Sequence, residues 1–235
     1  MKRTCKLLVF LLPALLASCV TQINGSIRTG GTAEMTLDTN MGPRTAALIN
    51  SFRLFSGEPA SVPILDGPAI SRSLSIAPGV RAVSFRNTSA VAMDGNISIS
   101  SIGDFLTLPN AGSRFITFTE GNRSSSIIVN LDRESATQII SLLSPEIHGY
   151  LSALMAPVVL GETMTATEYL NLVTSIYSRP LANEIAESHI IVTVEFSRPV
   201  TAIHGGTFSG NKAEFDLPLL DILLLERPMR YEASW

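Results

Sequence analysis

Both cysteines of this 235-residue chain, Cys5 and Cys19, lie within its first nineteen positions. Positions 20–235 contain no thiol, so neither a disulfide nor a cysteine metal site can staple the fold there. Whatever forms must be held by buried apolar side chains. The composition allows this: 46% of residues are hydrophobic and 16% charged. The length suits one large domain or two small ones.

Lys2, Arg3 and Lys6 open the chain, and residues 7–12 and 14–16 supply a short apolar run around Pro13. Roughly ten apolar residues are too few to span a bilayer, which takes about 20. The pattern predicts a secretory signal peptide over 1–18, not an element of the fold. Its end, Leu16-Ala17-Ser18-Cys19, resembles the lipobox of bacterial lipoproteins. That resemblance implies cleavage before Cys19, attachment of diacylglycerol to its thiol, and anchoring in a membrane through acyl chains, of which two or more hold stably. Val20 follows the cysteine where an Asp would signal retention in enterobacteria, which implies outer-membrane or periplasmic-face delivery. Residues 19–25 then read as a lipidated tether of at most ~20 Å.

Residues 1–18 carry three basic residues and no acidic ones. Without them the chain keeps 14 basic and 20 acidic residues, a net charge of −6. No Lys/Arg cluster stands against that balance. Nucleic acid and a polybasic membrane patch are therefore poor partners.

Alternating polar and apolar positions predict a first strand over 26–38, with Gly30-Gly31 inside it. Pro43 opens a predicted helix to Phe55, as proline suits a first helical turn, and another helix is expected over 67–77. Strands are expected at 80–85, 91–99, 114–119 and 126–131, with Glu120-Gly121-Asn122 as a hairpin turn between the last two. Helices are expected at 133–144, 145–156, 165–178 and 180–188, and strands at 190–196 and 213–217. Strand runs separated from helix runs point to an α+β fold, mostly antiparallel sheet with helices on one face. Four weak echoes run in the same order: Thr36-Leu37-Asp38 with Asn130-Leu131-Asp132, Pro78-Gly79-Val80 with Pro199-Val200, Asp104-Phe105-Leu106 with Asp221-Ile222-Leu223, and Arg114-Phe115 with Arg230-Tyr231. They suggest a duplicated strand–helices–strands unit, divided as 26–121 and 122–235.

Chemistry is thinly marked. His148, His189 and His204 lack the helical i, i+4 spacing of a zinc protease. Glu184, Glu187 and His189 offer metal-ligating types without a fourth ligand, and a capped helix end explains them better. Gly206-Thr207-Phe208-Ser209-Gly210 does not have nucleophile-elbow spacing, and no phosphate loop or dinucleotide fingerprint occurs. No cofactor, no metal and no catalytic residue is expected, so the chain does not read as an enzyme. A hydrolase using one of the histidines is the remote alternative. Two apolar stretches stand out instead. Leu151, Leu154, Met155, Val158, Val159 and Leu160 lie in one, and Leu219, Leu220 and Leu223 in the other. Such stretches are core, a membrane-facing patch or the wall of an apolar ligand site. Trp235 reads as a last-strand core anchor.

Residues 199–206, Pro-Val-Thr-Ala-Ile-His-Gly-Gly, with the apolar strand and closing aromatic after them, resemble the ending of LppM-type envelope lipoproteins. The overall cast is also similar to uncharacterised spirochaetal lipoproteins. The first resemblance implies a compact α+β domain linked to envelope lipids. The expectation is a non-catalytic membrane-anchored lipoprotein of the cell envelope, binding a lipid or apolar ligand through seven of these residues: Leu151, Leu154, Met155, Val158, Leu219, Leu220 and Leu223. The alternative is an accessory that binds another envelope protein.

Overall fold

The computed structural model describes residues 19–55, 63–106, 115–141 and 154–235. The expected helix over 145–156, with His148 and Leu151, lies largely outside them, as does Arg114.

The described chain is α+β with mostly antiparallel sheet, as the patterning predicts. The strands form two sheets rather than one. The larger has seven, in the order β3-β4-β2-β1-β7-β10-β9, and the smaller four, β5-β6-β11-β8. The strands are β1 (Cys19–Ile27), β2 (Ala33–Met41), β3 (Val80–Asn87), β4 (Ala92–Ile99), β5 (Ile116–Thr119), β6 (Ser126–Leu131), β7 (His189–Phe196), β8 (Ala202–His204), β9 (Gly206–Ser209), β10 (Lys212–Pro218) and β11 (Met229–Ser234). The described helices are α1 (Pro43–Phe55), α2 (Gly67–Leu74), α3 (Ile102–Phe105), α4 (Arg133–Ser141), α5 (Ala156–Val159), α6 (Ala166–Ile176), α7 (Arg179–Ala186) and α8 (Leu219–Leu224).

Residues 19–25 are not a tether. They begin β1, the middle strand of the large sheet, which pairs antiparallel with β2 and parallel with β7. The inward positions of β1 explain why the sequence hides it. Thr21, Ile23 and Ile27 are buried, so one core position is a threonine. The Thr21 and Thr39 hydroxyls lie 2.9 Å apart across the β1–β2 pair, which satisfies both inside the core. The expected strand over 26–38 is in fact the end of β1, a turn and most of β2. Gly30 and Gly31 form that turn at φ of 85° and 67°, a region open to glycine without penalty.

One face of the large sheet is buried. Leu37, Met93, Ile97, Ile190, Val194 and Phe215 belong to its core, together with Ile49 of α1 and Ile70 and Leu74 of α2. On the other face, Gln22 aligns with Asp38 on β2, which aligns with Asp94 on β4 and, through it, with Arg86 on β3. Arg86 Nε donates to Asp94 at 2.8 Å, and this bond holds the Asp94 carboxyl below its ordinary range. The sheet therefore alternates apolar-in and polar-out, as one-sided antiparallel sheets do.

The halves at 121/122 interleave. β7, β9 and β10 complete the sheet that β1–β4 begin, and β5 pairs with β6 across the proposed boundary. Of the four echoes, the Asp104 and Asp221 segments fall on comparable elements, the short helices α3 and α8 after β4 and β10. Thr36-Leu37-Asp38 and Asn130-Leu131-Asp132 lie in different sheets, in β2 and at the end of β6.

Candidate functional site

Five strand ends meet at one end of the large sheet. Cys19 aligns with Met41 at the end of β2, and Val20 with His189 at the start of β7. His189 aligns in turn with Pro218 at the end of β10. Asn40 aligns with Ala92 at the start of β4, and Met41 N–H donates to Val91 O at 2.9 Å. Cys19, the residue expected to carry lipid, thus starts a strand bonded on both sides, at the end where α1 and α8 begin and α7 finishes.

The junctions at this end are tied by polar contacts. Glu184 of α7 accepts from Arg44 N at 3.0 Å, Thr45 N at 2.7 Å and Thr45 Oγ1 at 2.7 Å. It satisfies the first N–H groups of α1 from 140 residues away in sequence. Gly42 makes room for it, since a Cβ there would stand 2.3 Å from Glu184 Cδ. Glu184 is therefore a helix cap, which accounts for it without a metal. Among the described residues no cluster of His, Cys, Asp and Glu has a metal-binding arrangement.

Behind this end lies a second apolar cluster built from helices. Leu154, Met155 and Val158 of the α5 region pack with Tyr169 and Val173 of α6, with Leu181 and Ile185 of α7, and with Leu219 and Leu223 of α8. Leu220 is partly buried against the same cluster. The structure thus brings together six of the seven residues singled out from the sequence; Leu151 lies outside the described residues. The five fully buried members are well enclosed, Leu154 at 7% exposure and Leu223 at 1%. The Tyr169 hydroxyl donates to Leu154 O at 2.8 Å, and burial pushes its pKa well above the usual phenol value.

Two of these helices, α5 and α6, also carry apolar side chains on their outer sides. Leu172 and Ile176 lie one turn apart on α6, and Ile176 is 61% exposed. Tyr177 follows them, and Val159 and Leu160 end α5, with Leu160 at 68%. Val159 and Leu160 belong to the apolar stretch the sequence marked, while Leu172, Ile176 and Tyr177 escaped the sequence reading. The i, i+4 spacing of Leu172 and Ile176 was the available signal.

Arg133 was also missed. Its guanidinium donates to the carbonyls of Leu225 at 3.1 Å and Glu162 at 2.6 Å, with a longer contact to Leu224. It clamps the end of α8, where Leu225 takes a left-handed φ of 42°. The partners lie up to 92 residues away, so no local pattern announces them.

The histidines do not converge. His189 Nδ1 lies 2.6 Å from Asp216 Oδ1 on the polar side of the sheet. His204 is exposed on β8, aligned with Glu232. His148 lies outside the described residues. A His–Asp contact is the orienting half of a general base, and among the described residues no hydroxyl is hydrogen-bonded to the His189 ring.

No protein-family model matches the chain, and no curated protein sequence matches it. Among solved structures, the chain is similar to the NMR structure of the folded domain of the Mycobacterium tuberculosis LppM protein. The two are 12% identical with a TM-score of 0.44, and the match covers 92% of this chain and 87% of that one.

Proposed function

We propose that this chain is a non-catalytic lipoprotein of the bacterial envelope, anchored through acylated Cys19, whose helical layer binds a lipid or other apolar ligand at the membrane. The anchor rests on the sequence Leu16-Ala17-Ser18-Cys19 behind a basic and apolar leader. The observation that carries the binding reading is the set of apolar side chains exposed among polar ones on the outer sides of α5 and α6. Val158, Tyr169 and Val173 face the cluster, while Leu160, Leu172 and Ile176 stand in solvent. An ordinary surface helix is polar on its outer side. Isolated exposed apolar residues need no explanation, but a helix turn that repeats them marks a contact face.

Native mass spectrometry of the mature protein extracted from membranes tests the reading, together with titration by an apolar fluorescent probe. Co-purified lipid or saturable probe binding is expected, and both should fall at least tenfold in the double variant Leu172→Ser, Ile176→Ser with its circular dichroism unchanged. A lipid-free protein that binds no probe overturns it.

A second reading, an accessory to another envelope protein, is favoured by one observation. β9 is an edge strand of the large sheet and leaves Phe208 48% exposed. An edge of this kind accepts an added strand. Crosslinking in cells from position 208 should then trap one dominant protein.

A further inference from the structure

We infer that the Cys19 end of the large sheet rests directly on the lipid surface, with the β1–β2 turn and the β5–β6 hairpin pointing away from it. This deepens the anchoring reading and rests on it. Acylation at Cys19 implies a tether, and β1 leaves no residues to form one. Cys19 is aligned with Met41, and from Val20 onward every residue of β1 is flanked by β2 on one side and β7 on the other. Freeing a four-residue tether would strip residues 19–22 from β2 and residues 20–22 from β7. It would also expose Thr21, which is 0% accessible, and break its contact with Thr39. Unmade backbone bonds and a lost buried pair oppose that release. The anchor point and the body are thus one rigid piece.

That rigidity fixes which groups meet the bilayer. Val91 O accepts from Met41 N, the partner of Cys19, so the exposed turn with Ser89 and Ala90 lies at the depth of the anchor. Pro43 and the His189–Pro218 pair lie at the same end. At the other end of β1, Ile27 aligns with Ala33, which starts β2 after the Gly30-Gly31 turn, and with Phe196, which stacks on Trp235. Eight strand steps of ~3.3 Å put roughly 26 Å between the two ends along β1. Gly30 N–H donates to Glu120 at 2.6 Å, which ties the β5–β6 hairpin of the small sheet to the distal end.

The test uses the full lipidated protein in phosphatidylethanolamine–phosphatidylglycerol vesicles that carry headgroup spin labels. With Cys19 blocked by lipid and Cys5 removed with the leader, an introduced cysteine is the sole thiol for a fluorophore. Ala90→Cys reports the anchor end and Thr29→Cys the distal turn, both exposed. Quenching at position 90 is expected to exceed that at position 29 at least threefold. Inserting ten Gly/Ser residues between Cys19 and Val20 should erase most of the difference. Equal quenching, or stronger quenching at 29, in a protein whose mass confirms acylation overturns the orientation alone. A mass without acyl chains overturns the anchoring reading, and the orientation with it.

Discussion

The indole of Trp235 stacks on the ring of Phe196, with centroids 4.1 Å apart and planes at 25°. Trp235 closes the small sheet, exchanging backbone bonds with Ser125 at 2.8 and 2.9 Å. Phe196 ends β7 in the large sheet and is 0% exposed. The pair therefore joins the two sheets, with Phe118 on its other flank at 6.3 Å. Trp235→Ala removes this bridge and leaves a cavity between the sheets. A loss of about 3–5 kcal/mol is expected, read as a lower urea midpoint by circular dichroism. A loss below about 1 kcal/mol would show that the sheets are held elsewhere.

Leu223 separates two meanings of an apolar residue. At 1% exposure among Leu219, Met155 and Val173, it reads as packed core. Leu223→Ala should cost about 2–5 kcal/mol. Ile176→Ala, on the solvent side of α6, should change stability by less than about 0.5 kcal/mol. If Leu223→Ala instead leaves stability intact and only weakens probe binding, the cluster is a ligand wall and not a core. Urea unfolding of both variants decides this.

Glu184 accepts from the first two N–H groups of α1, those of Arg44 and Thr45. Glu184→Ala leaves those donors to water or to nothing, and also removes a negative charge from a helix N-terminus. About 1–2 kcal/mol should be lost. Glu184→Gln keeps an acceptor without the charge and should recover part of it. Hydrogen exchange at the amides of Arg44 and Thr45 should quicken in both variants, more in the alanine one.

Much of this fold could be read before the structure. Pro43 and Phe55 bound α1 where proline and the apolar spacing placed them. The β5–β6 hairpin turns between Thr119 and Ser126, around the expected Gly121. Trp235 is the anchor that a closing aromatic suggests. What escaped depended on partners distant in sequence. β1 hid because Thr21 is polar until Thr39 is opposite it, and because its neighbour β7 arrives only at His189. The division into two sheets was equally hidden, since strand order follows from pairing and not from periodicity. The apolar residues of the candidate site were legible as types. Their gathering around α8 was not, because it takes Arg133 to hold the end of that helix from far along the chain.

Two helix starts carry a pH signature. Asp132 opens α4 by accepting from Ser135 N at 2.7 Å, while its own N–H donates to Ser135 Oγ at 2.8 Å. Glu168 folds back on Thr165 at the start of α6, accepting from its N at 2.9 Å and its hydroxyl at 2.8 Å. These bonds favour the charged forms and hold both carboxyls below their ordinary range. For a depressed carboxylate the sign is fixed. The stabilisation is full above the unfolded value near ~4 and drains away as pH falls through the lower folded value. Both groups are solvent-facing, so the effect should be modest. The double variant Asp132→Asn, Glu168→Gln should be less stable than the parent at pH 7, and the gap should close as pH falls below about 4. Thermal unfolding of the two proteins across that window gives the comparison. A gap that stays constant as the acid titrates would assign the loss to geometry and remove charge from the account of both caps.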